Sequence, residues 1–368
     1  MGIQAIIDSV TLSLIIAAFA GGAFGAALGA LPAFCFTGFM VIAGEASNLV
    51  TGELAQTGAI EEAVGTGITG SVAFGPVFGP HISFAGGAAA AAYAAKKGYM
   101  DTGFDYHEAK NITFALGTKP DVLIVGGLFG ILGMVIRQVS AGFAMPWDPI
   151  AMGVVLSALF HRLILGYSII GVTKNGLLDM TPFEREEMRT AAAGGGGAAD
   201  GPESAADGGA VQSDRLLVEP WLPHQYKWGN VAMIGLVTGI LGAYTALQTG
   251  SAFLAFGISA ASLTFLNLGV EQIPVTHHMT LTSSTIALAV VESGDAALAG
   301  LSDPAAVIIG ALMGVVCALF GELFQRVFYA HGDTHWDPPA AAIVFGTFII
   351  GIMAIVGLLP TSVWVPLP

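Results

Sequence analysis

Two stretches of this chain nearly repeat one another across more than half its length. Gly126-Gly127-Leu128-Phe129-Gly130 lies in an apolar run that leads to Trp147-Asp148-Pro149, where a second apolar run begins. Gly310-Ala311-Leu312-Met313-Gly314 lies in another, which leads to Trp336-Asp337-Pro338 and again to a second run. The offset is 310 − 126 = 184 at the glycines and 337 − 148 = 189 at the aspartates, so the second copy has the longer turn. Two copies of one apolar unit must pack on each other. The number of spans per copy decides whether they face the same way or opposite ways.

Only 10% of the residues are charged and 54% are hydrophobic, with a mean hydropathy of +0.76. A soluble domain carries about 25% charged residues. Most of the chain is therefore expected in lipid, as a multi-pass protein of a cell membrane. The 51 glycines fit close helix–helix approach and broken helices. Formal charge is −14, with 26 acidic against 12 basic residues. Such a balance excludes a nucleic-acid partner, which needs basic patches. It suits a high-salt cytoplasm, as in a halophilic archaeon. Cys35 and Cys317 both lie in apolar runs and read as small packing residues. The start of the chain has no basic stretch and no cleavage site, so no signal peptide is expected.

A span takes about 20 apolar residues. Five candidate runs fall in the first half, at Thr11–Leu31, Ala33–Gly44, His81–Ala95, Val122–Val139 and Pro149–Val172. Five more fall in the second, at Val231–Leu247, Ala252–Leu268, His277–Val291, Ala305–Val327 and Pro339–Leu358. The expected fold is all-α. About ten transmembrane helices form two five-helix repeats, 1–173 and 229–368, with broken or re-entrant helices. Residues 174–228 read as a flexible acidic linker rich in Gly and Ala, such as Asp200-Gly201-Pro202-Glu203. Lys96, Lys97, Lys110 and Lys119 share one side with Lys174, Arg185, Arg189, Arg215 and Lys227 of the linker and with Arg326. The positive-inside rule places that side, linker included, in the cytoplasm and both termini outside. Arg137 and Arg162 do not follow the pattern. Five spans per copy is an odd number, so the copies are expected to be inverted.

The Trp-Asp-Pro motifs read as helix starts, since Asp caps an N-terminus and Pro suits the first helical position. The pairs Gly126/Gly130 and Gly310/Gly314, with Gly21, Gly22, Gly25 and Gly29, read as faces for close helix contact. The broken middle of each copy is the more suggestive part. In the first, Glu45 and Asn48 end the second run, a Gly- and Pro-rich stretch follows, and His81 and Ser83 open the third. In the second, Glu271 and Pro274 precede His277, His278 and Thr280. Glu53, Glu61 and Glu62 read as solvated. Helix N-termini carry unpaired N–H groups and a positive dipole end, so two such ends at mid-membrane make an anion or ion site. Neighbouring histidines point about 100° apart on a helix, so His277 and His278 are not a metal pair by themselves. Arg162 lies deep in the fifth run, where a charge is costly and faces protein or water. Its counterpart is Gly351, so the charge is unmatched between the copies.

Gly25-Ala26-Ala27-Leu28-Gly29-Ala30-Leu31-Pro32, the alanine run between Gly86 and Gly98, Ala115-Leu116-Gly117 and Gly126-Gly127-Leu128 together resemble the large membrane subunit of tripartite tricarboxylate transporters. The likeness covers about residues 20–135 and rests on Gly and Ala. The family's Pro-Gly signature is missing, since Ala33 follows Pro32, and the chain is shorter than that subunit. The resemblance implies carboxylate uptake with a soluble substrate-binding protein as partner.

The residues point first to a secondary transporter for a small anionic solute, coupled to Na⁺ or H⁺, working as a homo-oligomer. Its expected site comprises Glu45, Asn48, His81, Ser83, Glu271, His277, His278 and Thr280, with Arg162 as counter-charge. Saturable, gradient-coupled uptake separates it from a channel, which gives single-channel currents. A metal or haem protein using His81, His161, His277 and His278 would show in a metal assay or an absorbance spectrum. A non-transporting scaffold would lack a cavity between the copies. No cofactor, metal or enzymatic activity is expected. HExxH, GxSxG and the phosphate-binding loop are all missing.

Overall fold

The computed structural model describes residues 3–368 except 63, 64, 66, 174 and 191–211. Among the described residues the chain is helical apart from one two-stranded ribbon. The first half holds α1 (Ile3–Ser9), α2 (Leu12–Leu28), α3 (Ala30–Gln56), α4 (Ser83–Lys96), α5 (Pro120–Gly142) and α6 (Pro149–Leu165). A connecting stretch holds α7 (Thr181–Glu184), β1 (Met188–Thr190) and β2 (Gln212–Leu216). The second half holds α8 (Trp228–Thr249), α9 (Leu254–Asn267), α10 (His277–Val291), α11 (Asp303–Phe324) and α12 (Pro338–Ile355). Five helices are long and apolar enough to cross a membrane: α3, α5, α8, α11 with its π-helical continuation to Tyr329, and α12. Helices α2, α6 and α9 are shorter and apolar.

Each of the ten expected runs contains one helix, but the second is wrongly bounded. The sequence suggests a break after Gly44. Instead α3 runs unbroken through Glu45, Asn48 and Glu53 to Gln56. That stretch has no proline and is supplied with Glu, Ala, Leu and Gln, which are strong helix formers. Counting apolar residues finds where lipid could be. It does not find where a helix stops.

The Trp-Asp-Pro motifs start helices, as the sequence suggests. The Asp148 carboxylate accepts from the Ile150 amide at 2.8 Å. The Asp337 carboxylate accepts from the Ala340 amide, also at 2.8 Å. In each case proline occupies the first turn, where no amide bond is lost.

Glycine then decides how the helices meet. Helix α2 lies on α5 with Gly22 backbone against Gly126 and Gly130. Helix α8 lies on α11 with Gly239 against Gly310 and Gly314. A Cβ at Gly22, Gly126, Gly130, Gly239 or Gly314 would enter the opposing backbone, and one at Gly310 would strike the Ala243 methyl. Without a hydrophobic force between helices in lipid, such close van der Waals contact is what holds them. The two halves repeat one packing scheme. Helix α4 sits against α2, α5 and α6, and α10 sits against α8, α11 and α12.

Between the halves, corresponding helices pair and run in opposite directions. On α3, Gly38 meets Gly257 and Ala261 of α9, whereas Glu45 further along meets Ser251 before α9 begins. At the start of α6, the Asp148 amide donates to Thr347 Oγ1 at 2.9 Å. Arg162, near the end of α6, reaches Thr334, before α12 begins.

Helices α4 and α10 are enclosed by protein. Helix α4 is mostly Gly and Ala, and its neighbours press on it closely. Helix α10 carries Thr282, Ser283, Ser284 and Thr285, all fully buried. Their hydroxyls return to carbonyls: Thr282 to His278 at 2.9 Å, Thr285 to Leu281 at 2.8 Å and Ser284 to Gly242 of α8 at 2.9 Å. This polar helix therefore carries no unspent hydroxyl among those four, because Ser283 donates to Thr280.

The stretch between the halves differs from a free spacer. Residues 191–211 of the expected linker lie outside the described residues. The flanks on either side are built into the body. Strands β1 and β2 pair antiparallel, the Glu219 amide donates to the Ala330 carbonyl at 2.9 Å, and the Gln225 side chain holds Val275 through both its amide and its carbonyl. The acid and glycine content of the middle hid these anchoring residues.

Candidate functional site

A cavity of about 410 Å³ lies between the halves, within the range of small-molecule sites. Its walls come from α3, α4, α5 and α6 on one side and from α9, α10, α12 and the C-terminal tail on the other. Most of the lining is aromatic or aliphatic. Phe34 of α3 forms an edge-on contact with both Phe84 and Phe256, at 6.0 Å in each case. Phe74 and Phe253 meet at 5.4 Å, and Phe253 packs on Trp364 at 5.2 Å.

The polar part of the lining comes from several places. Lys110, Asn111 and Thr113 lie in the loop after α4, Arg137 on α5 with Asp148 at the start of α6, His277 at the start of α10, and Tyr329, His335 and Asp337 before α12.

The site residues suggested by the sequence are not brought together as one group. His277 lines the cavity, packed on Phe34 at 4.7 Å and Phe256 at 5.8 Å. Its Nδ1 is buried without a hydrogen-bond partner. His81 lies outside the cavity lining, behind Pro80, against Gly133 and Gly153. His278 sits against Gly321, with Ala342 beside it. The offsets 321 − 133 = 188 and 342 − 153 = 189 match that of the Trp-Asp-Pro motifs, so His81 corresponds to His278. The duplication thus leaves His277 as the histidine that reaches the cavity from these two helix starts. Ser83 and Thr280 open α4 and α10, where their backbones pack on Gly25 and Gly242. Thr280 donates to the His277 carbonyl at 3.1 Å.

Glu45 is buried between the halves. Thr69 donates to its Oε1 at 2.6 Å and Ser251 to its Oε2 at 2.5 Å. Asn48, nearly one turn further on, is half-buried, and its carbonyl accepts from Thr51 at 3.0 Å. Glu271 is exposed in the turn before α10, so the two carboxylates do not form the matched pair that the sequence suggests. Glu53, Glu61 and Glu62 are exposed.

Arg162 is fully buried but does not line the cavity. Its guanidinium donates to Thr334 Oγ1 at 2.9 Å, to the Thr334 carbonyl at 2.7 Å and to the Ile169 carbonyl at 2.5 Å, and it lies over Trp336 at 5.0 Å. His161 bonds the same Thr334 hydroxyl at 2.8 Å. These contacts tie α6 to the start of α12. In the corresponding place Gly351 admits the backbone of Pro146.

Two cationic positions in the cavity wall were not among the expected site residues. One is Arg137. The other is Lys110, fully buried and paired with Glu219 at 2.6 Å, with its ammonium 4.5 Å from the Tyr329 ring centre. Glu219 also binds Arg215, which reaches Asp333 at 2.8 Å, and Asp333 takes Arg189 at 3.4 Å. This cluster joins the loop after α4, the connecting stretch and the turn before α12. Burial pulls the Lys110 ammonium down to about 7, with Glu219 opposing the fall. Burial pushes Glu219 upward, but Lys110 and Arg215 outweigh it and hold the carboxylate below its ordinary range. A lysine and a glutamate 109 residues apart (219 − 110) leave no local sign in the sequence.

Among the described residues, no three His, Cys, Asp and Glu side chains converge as metal ligands do. The model of a family of unknown function (DUF7973) matches residues 4–368. No curated protein and no solved structure matches the chain.

Proposed function

The chain belongs to the DUF7973 family, which carries no known function, and we propose that it is a secondary carrier for a small organic anion with an apolar body. In this reading the ten main helices form two inverted five-helix repeats in a cell membrane. The antiparallel course of α3 against α9 and of α6 against α12 supports the inversion. Inverted repeats with a site between them suit alternating access, in which one half rocks against the other around the bound solute. The distribution of basic residues supports a cytoplasmic connecting stretch and external termini in this reading.

The observation that carries the proposal is the wall of the cavity. Rings and aliphatic side chains make it a place for a hydrocarbon body. Among the described residues, Arg137 is its cation without a carboxylate at ion-pair distance, whereas Lys110 is already paired. Asp148 is spent on capping α6. An anionic head at Arg137 and an apolar body along Phe34, Phe256 and His277 fit this distribution. The anion class agrees with the carboxylate cargo implied by the resemblance to tripartite tricarboxylate transporters. It moves the counter-charge from Arg162 to Arg137.

Radiolabelled benzenesulfonate tests it, because a sulfonate stays ionised and does not leak through lipid as a neutral acid. Purified protein in liposomes is expected to take it up saturably, with exchange against internal benzenesulfonate. Arg137→Gln should raise the half-saturation concentration about tenfold or more, the value of one charge-assisted contact of about 1.5–3 kcal/mol. Linear uptake equal to that of empty liposomes overturns the proposal, and unitary currents across a bilayer replace it with a channel.

A further inference from the structure

Glu45 lies outside the cavity lining yet is joined to it on two sides. Thr69, which donates to Oε1, sits in the π-helical turn Ile68–Ala73. Phe74 follows that turn and lines the cavity. Ser251, which donates to Oε2, also accepts from the Phe253 and Leu254 amides at 3.2 and 3.0 Å, so it caps α9. Phe253 lines the cavity too, in contact with Phe74. One carboxylate thus holds the two segments whose next aromatic residues form one wall of the cavity. π-Helical turns are rare and frequently lie at functional sites.

Among the described residues the elements packed on α3 bring no counter-cation to Glu45. Helices α2 and α9 and the π-helical turn contain no ionisable residue, and α3 itself adds the thiol of Cys35 and exposed Glu53. Helix α4 adds Tyr93, which donates to Asp121, and Lys96, which donates to the Leu165 carbonyl at the far end of the helix. Among the described residues its side-chain partners are two hydroxyls and no cation. A metal ion would have to part these oxygens. Distances of 2.5 and 2.6 Å between hydroxyl and carboxylate oxygens leave the hydrogens between them and no space for a cation.

We propose that Glu45 is the proton-coupling site of the carrier. The step adds one proton from water to one carboxylate oxygen, giving the neutral acid. The ionised carboxylate accepts from both hydroxyls. The acid has an O–H of its own. On Oε1 it donates to the Thr69 oxygen and reverses that bond, whereas on Oε2 it meets a Ser251 oxygen whose lone pairs already accept from two amides, so that bond is lost. Protonation on Oε2 thus loosens the cap of α9, and the Phe74–Phe253 contact opens with it. This deepens the carrier reading and rests on it.

Two measurements separate the two ideas. The first is infrared difference spectroscopy of the protein in liposomes between neutral and acid pH. A protonated-carboxyl band is expected in the wild type and is lost in Glu45→Gln. A spectrum identical in both overturns the proton site whether or not anything is transported. If Glu45→Gln does not fold, Ser251→Ala serves instead: its band must shift, and an unshifted band overturns the site. The second is benzenesulfonate accumulation under an inward proton gradient. One pH unit drives about tenfold accumulation for one proton per solute. Glu45→Gln should reduce the ratio of uptake with and without the gradient to about one, and an undiminished ratio refutes the coupling. Absence of all benzenesulfonate uptake removes the carrier reading, while the infrared result still decides the protonation of Glu45.

Discussion

The Lys110 cluster and the Glu45 node are both buried and both shared between the halves, but they are made of different material. At Lys110 three cations (Lys110, Arg189 and Arg215) face two anions, Glu219 and Asp333, with ion pairs throughout. At Glu45 one carboxylate meets two hydroxyls. Ion pairs in a dry setting are strong as a set and expensive to break singly. Hydroxyl contacts are weaker and can be exchanged by rotating one bond. The first region is built to hold the loop after α4, the connecting stretch and the turn before α12 in place. The second is built to change.

The sharpest way to break this comparison is to neutralise each carboxylate. Glu219→Gln leaves Lys110 buried without its partner and should cost about 3–5 kcal/mol, read as a lower unfolding midpoint in detergent. Glu45→Gln keeps an acceptor for one hydroxyl and should cost about 1 kcal/mol. Equal losses would refute the distinction.

Acid provides the next test, because the cluster contains His107. Burial, with help from Arg215, lowers its pKa to about 4, while Asp333 and Glu219 pull it upward and Lys110 downward. Its Nδ1 accepts from the Ala109 amide at 3.1 Å, which requires the neutral ring. The unfolded chain takes up that proton near 6.5 and the folded chain does so only near 4. Stability must therefore fall as pH drops through that interval. Thermal unfolding followed from pH 7 to pH 5 should show the decline. His107→Asn keeps an acceptor without the titration and should flatten it, and an unchanged slope would remove His107 as the cause.

The smallest effects sharpen the comparison at the helix starts. Asp148→Ala and Asp337→Ala each lose an N-cap worth about 1 kcal/mol. Both aspartates line the cavity, but Asp148 is the one that interacts with Arg137, so its loss should alter benzenesulfonate affinity as well as stability. Asp337→Ala should lower the midpoint by a similar amount and leave the half-saturation concentration closer to wild type. The reverse ranking would move the anion head away from Arg137.

Much of the architecture was legible in the chain. The repeated glycines, the Trp-Asp-Pro starts and the apolar runs each have a local physical reason, and helices and caps formed where that reason applied. The length of α3 was hidden because its last turns are polar yet helical. Glu45 was visible as a carboxylate at the edge of an apolar run, but Thr69 and Ser251 became its partners only through tertiary packing. Pairing His81 with His278 needed the offset of the folded halves, since the sequence offered two neighbouring histidines. Arg137 was noticed only as an exception to the charge pattern. Lys110 looked like one more surface lysine, because burial is a property of what folds over a residue. Arg162 stood out for lacking a counterpart, and its partners are a threonine and carbonyls distant in the chain.

The bare backbone contacts at Gly22, Gly130, Gly239 and Gly314 limit how such a body can vary over time. A seam with no side chains has nothing to trim, so every replacement there adds bulk and pushes helices apart. Variation in such a body is steered instead toward the ring-lined chamber between the halves, where Phe74, Phe253 and Trp364 meet through side chains that can be trimmed as well as enlarged.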